Sequence, residues 1–389
     1  MLSRVYLDYA ATTPTHPDVV TEMIPYFYNQ FGNPSSLYSY GQESKQAIES
    51  AREKVAGLIS ANKDEIIFTS GGTESDNTAI KGVTGFGNSK KNHIITTMIE
   101  HHAVLETCKF LEKSGFSITY IPVDQYGLVD PDDVKNAITG ETGLISVIHA
   151  NNEIGTMQPI SDISRIAQER DILFHSDAVQ TVGHIPVDVN ELGVDLLSIS
   201  AHKFYGPKGI GVLYVRKGTK ISSLLHGGEQ EKARRAGTEN VPGIVGIGKA
   251  AAIAKDVLKA ESEIQTNLRD RLIKGLLSSI DHSHLNGHPE KRLPNNVNIT
   301  FEYVEGESII LSLDMEGICA STGSACSSAN LEPSHVLLAL GLSHEQSHGS
   351  CRFSLGKWTT VEDIDRVVDV MPKIITRLRM MSPLSTGSK

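Results

Sequence analysis

A lysine that follows a buried apolar run is the residue of this chain whose position most strongly predicts chemistry. Lys203 ends the sequence Ser-Ala-His-Lys, directly after the apolar segment 194–199, and a glycine-rich turn at 206–211 follows it. A lysine at the end of a buried strand is poorly placed for a solvated charge, and it loses its proton readily when water is removed from it. The neutral amine then attacks carbonyl groups. We therefore expect a reactive lysine here, against the ordinary alternative of a surface charge.

A lysine of this kind is typical of enzymes that bind pyridoxal 5'-phosphate (PLP) covalently, and the chain offers the further groups that this cofactor needs. Asp177 ends the short apolar run 172–176, where its carboxylate is predicted to pair with the pyridine nitrogen. The glycine turn at 70–75 follows the strand-like run 65–69 and opens a helix. Backbone N–H groups at a helix N-terminus bind phosphate, so this turn is predicted to cradle the cofactor phosphate.

Three more residues complete the predicted site. His101 is predicted to cover one face of the cofactor ring, and Asn152 to hydrogen-bond to the ring hydroxyl, with Gln180 alongside. Each of these residues alone also fits an ordinary role, such as a helix cap or a core histidine. Their order along the chain, each at a predicted strand end, favours one shared site.

One cysteine stands in a setting unlike the others. Cys326 lies in the run 321–330 of small, mostly polar residues, which has no apolar periodicity and therefore predicts a mobile loop. A thiol in such a loop is exposed and free to react, so a reactive cysteine is expected. The alternative is a loop cysteine that has no role in the chemistry. Cys108 and Cys319 are predicted to be core residues, and Cys351 is predicted to be structural.

Taken together, these motifs resemble those of the cysteine desulfurases of the NifS/IscS type, which are PLP-dependent enzymes of fold type I in the class-V aminotransferase family. The resemblance extends from residue 6 to residue 384, and its most specific segments are 200–203, 234–240 and the Cys326 loop. Residues 331–335 follow that loop as they do in the long-loop group of the family. The resemblance implies that Lys203 carries PLP, that Cys326 is the nucleophile that forms a persulfide, and that His101 is an acid or base.

The same resemblance assigns the binding residues. It implies that the phosphate is held by Gly72, Thr73, Ser200, His202 and Thr238. It also implies that Arg352, helped by Asn33, binds the substrate carboxylate. Thr238 would reach the PLP phosphate of a second subunit, so an obligate homodimer is expected. No metal site is implied, except that Cys326 is a possible transient ligand of an iron–sulfur cluster.

The implied reaction removes sulfur from L-cysteine, giving L-alanine and a persulfide on Cys326. Family members pass this sulfur to iron–sulfur scaffold proteins, to tRNA thiolation or to nitrogenase maturation, and the sequence does not name the acceptor. Two other classes stay open. One is a selenocysteine lyase or another PLP-dependent enzyme of the aminotransferase fold, and the other is a non-catalytic sulfur carrier or scaffold.

Composition excludes several other functions. The chain has 389 residues and a net charge of −10, which argues against a nucleic-acid or anionic-membrane partner. It contains no apolar run of the ~20 residues that span a bilayer, and its first residues lack a signal-peptide core, so a cytoplasmic enzyme is expected. The histidine-rich run 281–288 lacks flanking cysteines, so we expect a polar loop rather than a metal site.

The hydrophobic pattern alternates between strands and helices, which predicts an α/β fold with a mostly parallel seven-stranded sheet. Strands are expected at 65–69, 93–97, 117–121, 144–148, 172–175, 195–199 and 210–215. A long helix is expected over 243–280, followed by a smaller α+β domain with strands at 296–301, 308–313 and 351–354 and a final helix at 361–379. The expected division is a large PLP-binding domain at 15–258 and a small domain formed by 1–14 and 259–389, which carries the cysteine loop at about 321–335.

Overall fold

The computed structural model describes residues 4–85, 91–322 and 333–382. Its strands are β1 (Val5–Tyr6), β2 (Ile66–Thr69), β3 (His93–Thr97), β4 (Ser117–Ile121), β5 (Thr142–Ser146), β6 (Leu173–Asp177), β7 (Leu196–Ser200), β8 (Gly211–Val215), β9 (Ser283–Leu285), β10 (Asn296–Phe301), β11 (Ile318–Cys319) and β12 (Ser350–Ser354). Its helices are α1 (Pro17–Met23), α2 (Pro25–Tyr28), α3 (Ser39–Leu58), α4 (Gly72–Thr84), α5 (His102–Glu112), α6 (Pro131–Ala137), α7 (Ile160–Gln168), α8 (Val189–Leu192), α9 (Gln230–Ala233), α10 (Val241–Ser279), α11 (Gly306–Met315), α12 (His335–Ala339), α13 (His344–His348) and α14 (Val361–Met381).

Seven strands form the main sheet, in the order β2-β8-β7-β6-β5-β3-β4. The pairs from β7 to β4 are parallel, and β8 pairs antiparallel with both β2 and β7. Neighbouring residues of β5 enter different hydrophobic clusters, Leu144 with α4 and α5, and Ile145 with α3, α7 and α10. Because side chains alternate across a strand, helices cover both faces of the sheet. The predicted fold class is confirmed.

A second hydrophobic cluster forms around the smaller sheet, in which β10 pairs antiparallel with β9 and β12. The N-terminal strand β1 pairs with β11, and Val5 and Leu7 are buried in this second cluster. The long helix α10 joins the two clusters, because its residues 241–254 pack in the first and its residues 268–276 in the second. In the described part of the chain, no helix, α10 included, is long and apolar enough to cross a membrane.

Two local predictions were wrong. The strand expected at 308–313 lies inside helix α11, where Ile309 and Leu313 are buried four residues apart while Leu311 is exposed. A short apolar run does not distinguish a strand from a helix, and here the four-residue period prevails. The loop expected at 281–288 contains strand β9, which completes the edge of the small sheet.

Candidate active site

The carboxyl ends of the parallel strands open into a cavity of about 430 Å³. Loops at this edge of an α/β sheet commonly bind ligands. Ten of the residues predicted from the sequence line the cavity: Gly72, Thr73, His101, Asn152, Asp177, Gln180, Ser200, His202, Lys203 and Arg352. Sequence reasoning missed nine other lining residues: Ala10, Ala11, Asp76, Glu100, His102, Ile148, Glu153, Val179 and His335.

Two predicted residues that the structure describes are not among those that line the cavity. Asn33 is exposed, and its side-chain oxygen accepts a hydrogen bond from the Ser35 N–H at 2.9 Å. Thr238 is exposed on the segment that leads into α10. Cys326 lies outside the described residues.

Lys203 lies on a tight turn directly after β7. A 3-10 helix spans Ala201–Lys203, and Nζ of Lys203 donates hydrogen bonds to the carbonyl oxygens of Ala10 at 2.5 Å and Ala11 at 2.9 Å. The next residue but one, Tyr205, has a φ of 65°, which is rare for an aromatic residue. A Cβ at Gly206 would lie 2.8 Å from the Ala201 carbonyl oxygen, so only glycine lets the chain turn so closely behind the lysine. This turn fixes the lysine amine at the cavity wall.

Asp177 ends strand β6 and is nearly fully buried. One of its carboxylate oxygens accepts a hydrogen bond from the Val179 N–H at 2.9 Å. Burial raises the pKa of the Asp177 carboxyl to about 6, despite the opposing effects of that N–H and of the Lys203 charge. A cationic N–H group of a ligand would satisfy this carboxylate and reverse the shift of its pKa.

Two further buried acids flank Asp177. Ligand atoms of Asp76, Asp177 and His101 lie within 4.8 Å of one another. Asp76 Oδ1 and Glu100 Oε2 are buried and have no hydrogen-bond partner among the described residues. Burial and the neighbouring carboxylates raise the pKa of Asp76 well above its ordinary value and that of Glu100 to about 8. A pKa of about 8 leaves Glu100 largely protonated at neutral pH, and the upward shift of the Asp76 pKa favours its protonated form as well.

His101 caps the N-terminus of α5, where its Nδ1 accepts a hydrogen bond from the Ala103 N–H at 3.1 Å. Burial lowers the pKa of His101 to about 4, and the positive charge of Lys203 acts in the same direction. The imidazole is therefore neutral near pH 7. Because Nδ1 is an acceptor, the proton resides on Nε2.

The glycine turn before α4 forms one wall of a second cavity, of about 360 Å³. A Cβ at Gly72 would lie 2.7 Å from Val179 Cγ2, so glycine is needed for the first turn of α4 to approach the loop that follows β6. Thr73, Ser200 and His202 line both cavities, and Lys208 also lines the second. The N–H groups and hydroxyls around this space form a site suited to an anion.

Arg352 lies on β12 and is 2% exposed, although it faces the main cavity. Its Nη2 donates to Asp8 Oδ1 at 2.9 Å and its Nη1 to the Asn152 carbonyl oxygen at 3.0 Å. Its Nε is buried and has no partner among the described residues. Cys351, beside it, is fully buried, and burial raises the pKa of its thiol, so it is suited to packing rather than to reaction.

Comparison with known proteins finds relatives over nearly the whole chain. The family model of class-V aminotransferases matches residues 5–367. A curated cysteine desulfurase IscS from Methanosarcina thermophila is 59% identical over 381 residues, which cover 98% of this chain and 94% of that protein. A solved NifS-like protein has a TM-score of 0.91 and 40% identity, over 96% of this chain and all of its own. The structure of SspA in complex with cysteine has a TM-score of 0.81 and 38% identity, over 92% of this chain and all of its own.

Proposed function

This chain belongs to the class-V aminotransferase family and, within it, to the cysteine desulfurases, and we propose that the cavity between β6, β7 and β12 is where it removes sulfur from L-cysteine. The main observation in support of this proposal is that one cavity is lined by Lys203, Asp177, His101 and Arg352. The relative solved in complex with cysteine supports the same substrate.

The described residues fit PLP. Asp177 is a buried carboxyl group at the cavity wall, suited to pair with the protonated pyridine nitrogen of the cofactor. Gly72 allows the N-terminus of α4 to face the phosphate position, where Thr73, Ser200 and His202 provide further polar groups. When bound, PLP supplies an electron sink for the substrate carbon. We propose that Lys203 holds it covalently and that Gln180 and Asn152 lie beside the ring.

Three residues of the cavity have separate proposed roles in the reaction. Lys203 Nζ, at the cavity wall, would act as the base that removes the Cα proton of the substrate. Arg352 would donate to the substrate carboxylate from its Nε–H, which has no partner among the described residues. His101 is neutral, so it can hold or donate a proton at Nε2 without adding a positive charge to the site.

Cys326 is proposed as the sulfur acceptor on the strength of its sequence context. Its thiolate takes the substrate sulfur to form a persulfide, and the carbon skeleton leaves as L-alanine. The persulfide sulfur would then pass to an iron–sulfur scaffold or to another acceptor protein. The three cysteines among the described residues are free thiols, which supports the cytoplasmic location that we also propose.

A homodimer is proposed on two observations. Large apolar side chains are exposed along residues 27–38, including Phe31 at 66% and Leu37 at 93%, and patches of this kind commonly mark protein interfaces. Thr238 is exposed and does not line the cavity of its own chain. Both observations support a partner subunit that covers the apolar segment and whose phosphate site Thr238 would contact.

The function is tested by single turnover with L-cysteine. We expect one equivalent of L-alanine and a persulfide mapped to Cys326 by mass spectrometry. In Cys326→Ser we expect loss of both, with PLP retained, whereas Cys108→Ser serves as a control that changes a buried thiol on α5. Normal alanine formation by the Cys326 variant would contradict the proposal, and faster turnover of selenocysteine would make selenocysteine the preferred substrate instead.

A further inference from the structure

The guanidinium of Arg352 already has an anionic partner inside the protein. Asp8 Oδ1 accepts from Nη2 at 2.9 Å, and the two residues are 344 positions apart in the sequence. The Arg352 side chain is 2% exposed and that of Asp8 is 21% exposed. A buried guanidinium without an anion is costly, so this pair stabilises the position of Arg352 when no substrate is bound.

The position of Asp8 is fixed by its backbone. Its carbonyl oxygen accepts hydrogen bonds from Tyr6 Oη at 3.0 Å and from the Ala11 N–H at 3.0 Å. The flanking residue Leu7 accepts a backbone hydrogen bond from Ser354, and Ala10 donates to the Ser354 hydroxyl. The Asp8 carboxylate is therefore held against β12, beside Arg352, rather than resting there by chance.

The hydrogen bonds of Arg352 leave one edge available. Nη1 and Nη2 are engaged by the Asn152 carbonyl and by Asp8, while Nε has no partner among the described residues. A carboxylate that binds in a bidentate manner uses two N–H groups of a guanidinium. An incoming carboxylate on the Nε edge must therefore share Nη2 with Asp8 or displace Asp8 from it.

From this geometry we propose that Asp8 competes with ligand carboxylates for Arg352. By this competition it lowers the affinity of the site for ligands that offer only a carboxylate, and so contributes to specificity. A ligand that offers only a carboxylate meets the like charge of Asp8 and is retained poorly. An amino acid substrate offsets that repulsion with its other groups, which bind elsewhere in the cavity. This inference rests on the proposed role of Arg352 and adds a residue that acts on substrate selection.

The experiment measures propionate binding to the PLP-loaded protein by calorimetry. Propionate has a carboxylate but neither the amine nor the thiol of cysteine, so it reports on the Arg352 subsite alone. We expect Asp8→Asn to tighten propionate binding by roughly tenfold to a hundredfold, since one negative charge next to the bound carboxylate is removed. Asp8→Glu, which keeps the charge, should stay near the wild type.

Asp365→Asn is the matched control. Asp365 pairs with Arg271 on an exposed surface, so its loss removes one carboxylate from an arginine pair outside the cavity. We expect its propionate affinity to equal that of the wild type. Asp8→Ser provides a second neutral replacement if the asparagine variant does not fold.

The outcomes separate this inference from the proposed function. If propionate binding is unaffected by Arg352→Gln, then Arg352 does not bind carboxylates and its role in the proposed function fails. If binding requires Arg352 but is no tighter in Asp8→Asn or Asp8→Ser, then the competition by Asp8 is wrong while the proposed function stands. Failure of both neutral variants to fold would also overturn the inference, because Asp8 would then serve the fold rather than selection.

Discussion

Glu100 gives the most direct test of the buried acids that line the candidate active-site cavity. It is 1% exposed, and its Oε1 accepts hydrogen bonds from the Ile148 N–H at 2.8 Å and from Thr97 Oγ1 at 2.7 Å. Its Oε2 has no partner among the described residues. A glutamine at this position preserves both accepted hydrogen bonds and resembles the protonated acid in shape. Glu100→Gln therefore removes the titration of this group with little change in its contacts.

The expected effect on stability follows from the pKa. Burial raises the pKa of Glu100 from 4.5 to about 8 in the folded chain. A group with a raised folded pKa contributes stability that is fully present below pH 4.5 and is lost as the pH rises towards 8. The loss amounts to about 1.4 kcal/mol per pH unit within this window, or roughly 3 kcal/mol between pH 5 and pH 7.5. Glu100→Gln has no such loss, so its advantage over the wild type should grow by that amount.

The assay is urea unfolding of the PLP-free protein, followed by circular dichroism, at half-unit intervals from pH 5 to pH 7.5. The relevant quantity is the difference between wild type and variant at each pH, because it cancels the titrating groups that do not interact with Glu100. Glu112→Gln, which removes an exposed carboxyl from the neighbouring helix α5, controls for the loss of one acidic group. Parallel pH profiles for wild type and Glu100→Gln would refute the reasoning, since they would mean that Glu100 titrates alike in the folded and unfolded chains.

Two further predictions concern the cofactor and the assembly. Borohydride reduction should attach a pyridoxyl group to the wild-type protein but not to Lys203→Ala, because the turn after β7 places the Lys203 amine at the cavity. A pyridoxyl group found on Lys208 by peptide mapping would contradict this prediction. The second test mixes a Lys203→Ala subunit with a Thr238→Val, Cys326→Ser subunit. If Thr238 acts across the interface, the site that retains Lys203 receives Thr238 from the other subunit, so its PLP affinity should exceed that of the Thr238→Val, Cys326→Ser homodimer. Affinity as low as in the double-variant homodimer, or a monomer at micromolar concentration, would count against a shared site.

The sequence was sufficient to predict the main sheet because its strands are short apolar runs that alternate with helical segments. The same reasoning placed Lys203 and Asp177 near each other, since the carboxyl ends of neighbouring parallel strands meet at one edge. It failed for α11, because the apolar run there is too short for its period to distinguish a helix from a strand. The difference is physical, because a strand buried on both faces and a helix with a wide buried face both appear as continuous apolar segments.

The residues that sequence reasoning missed reach the cavity by other routes. Asp76 lies one turn into α4, four residues after Gly72. Its carboxylate comes close to that of Asp177 because of the direction in which α4 packs, which the sequence does not indicate. Asp8 comes from an N-terminal segment that joins the small sheet through β12, and nothing near it in sequence indicates Arg352. Both are acids whose effect depends on neighbours distant in sequence. Motifs at strand ends therefore predict which groups line the cavity, whereas the charges that surround those groups, and so their protonation, become visible only in the folded chain.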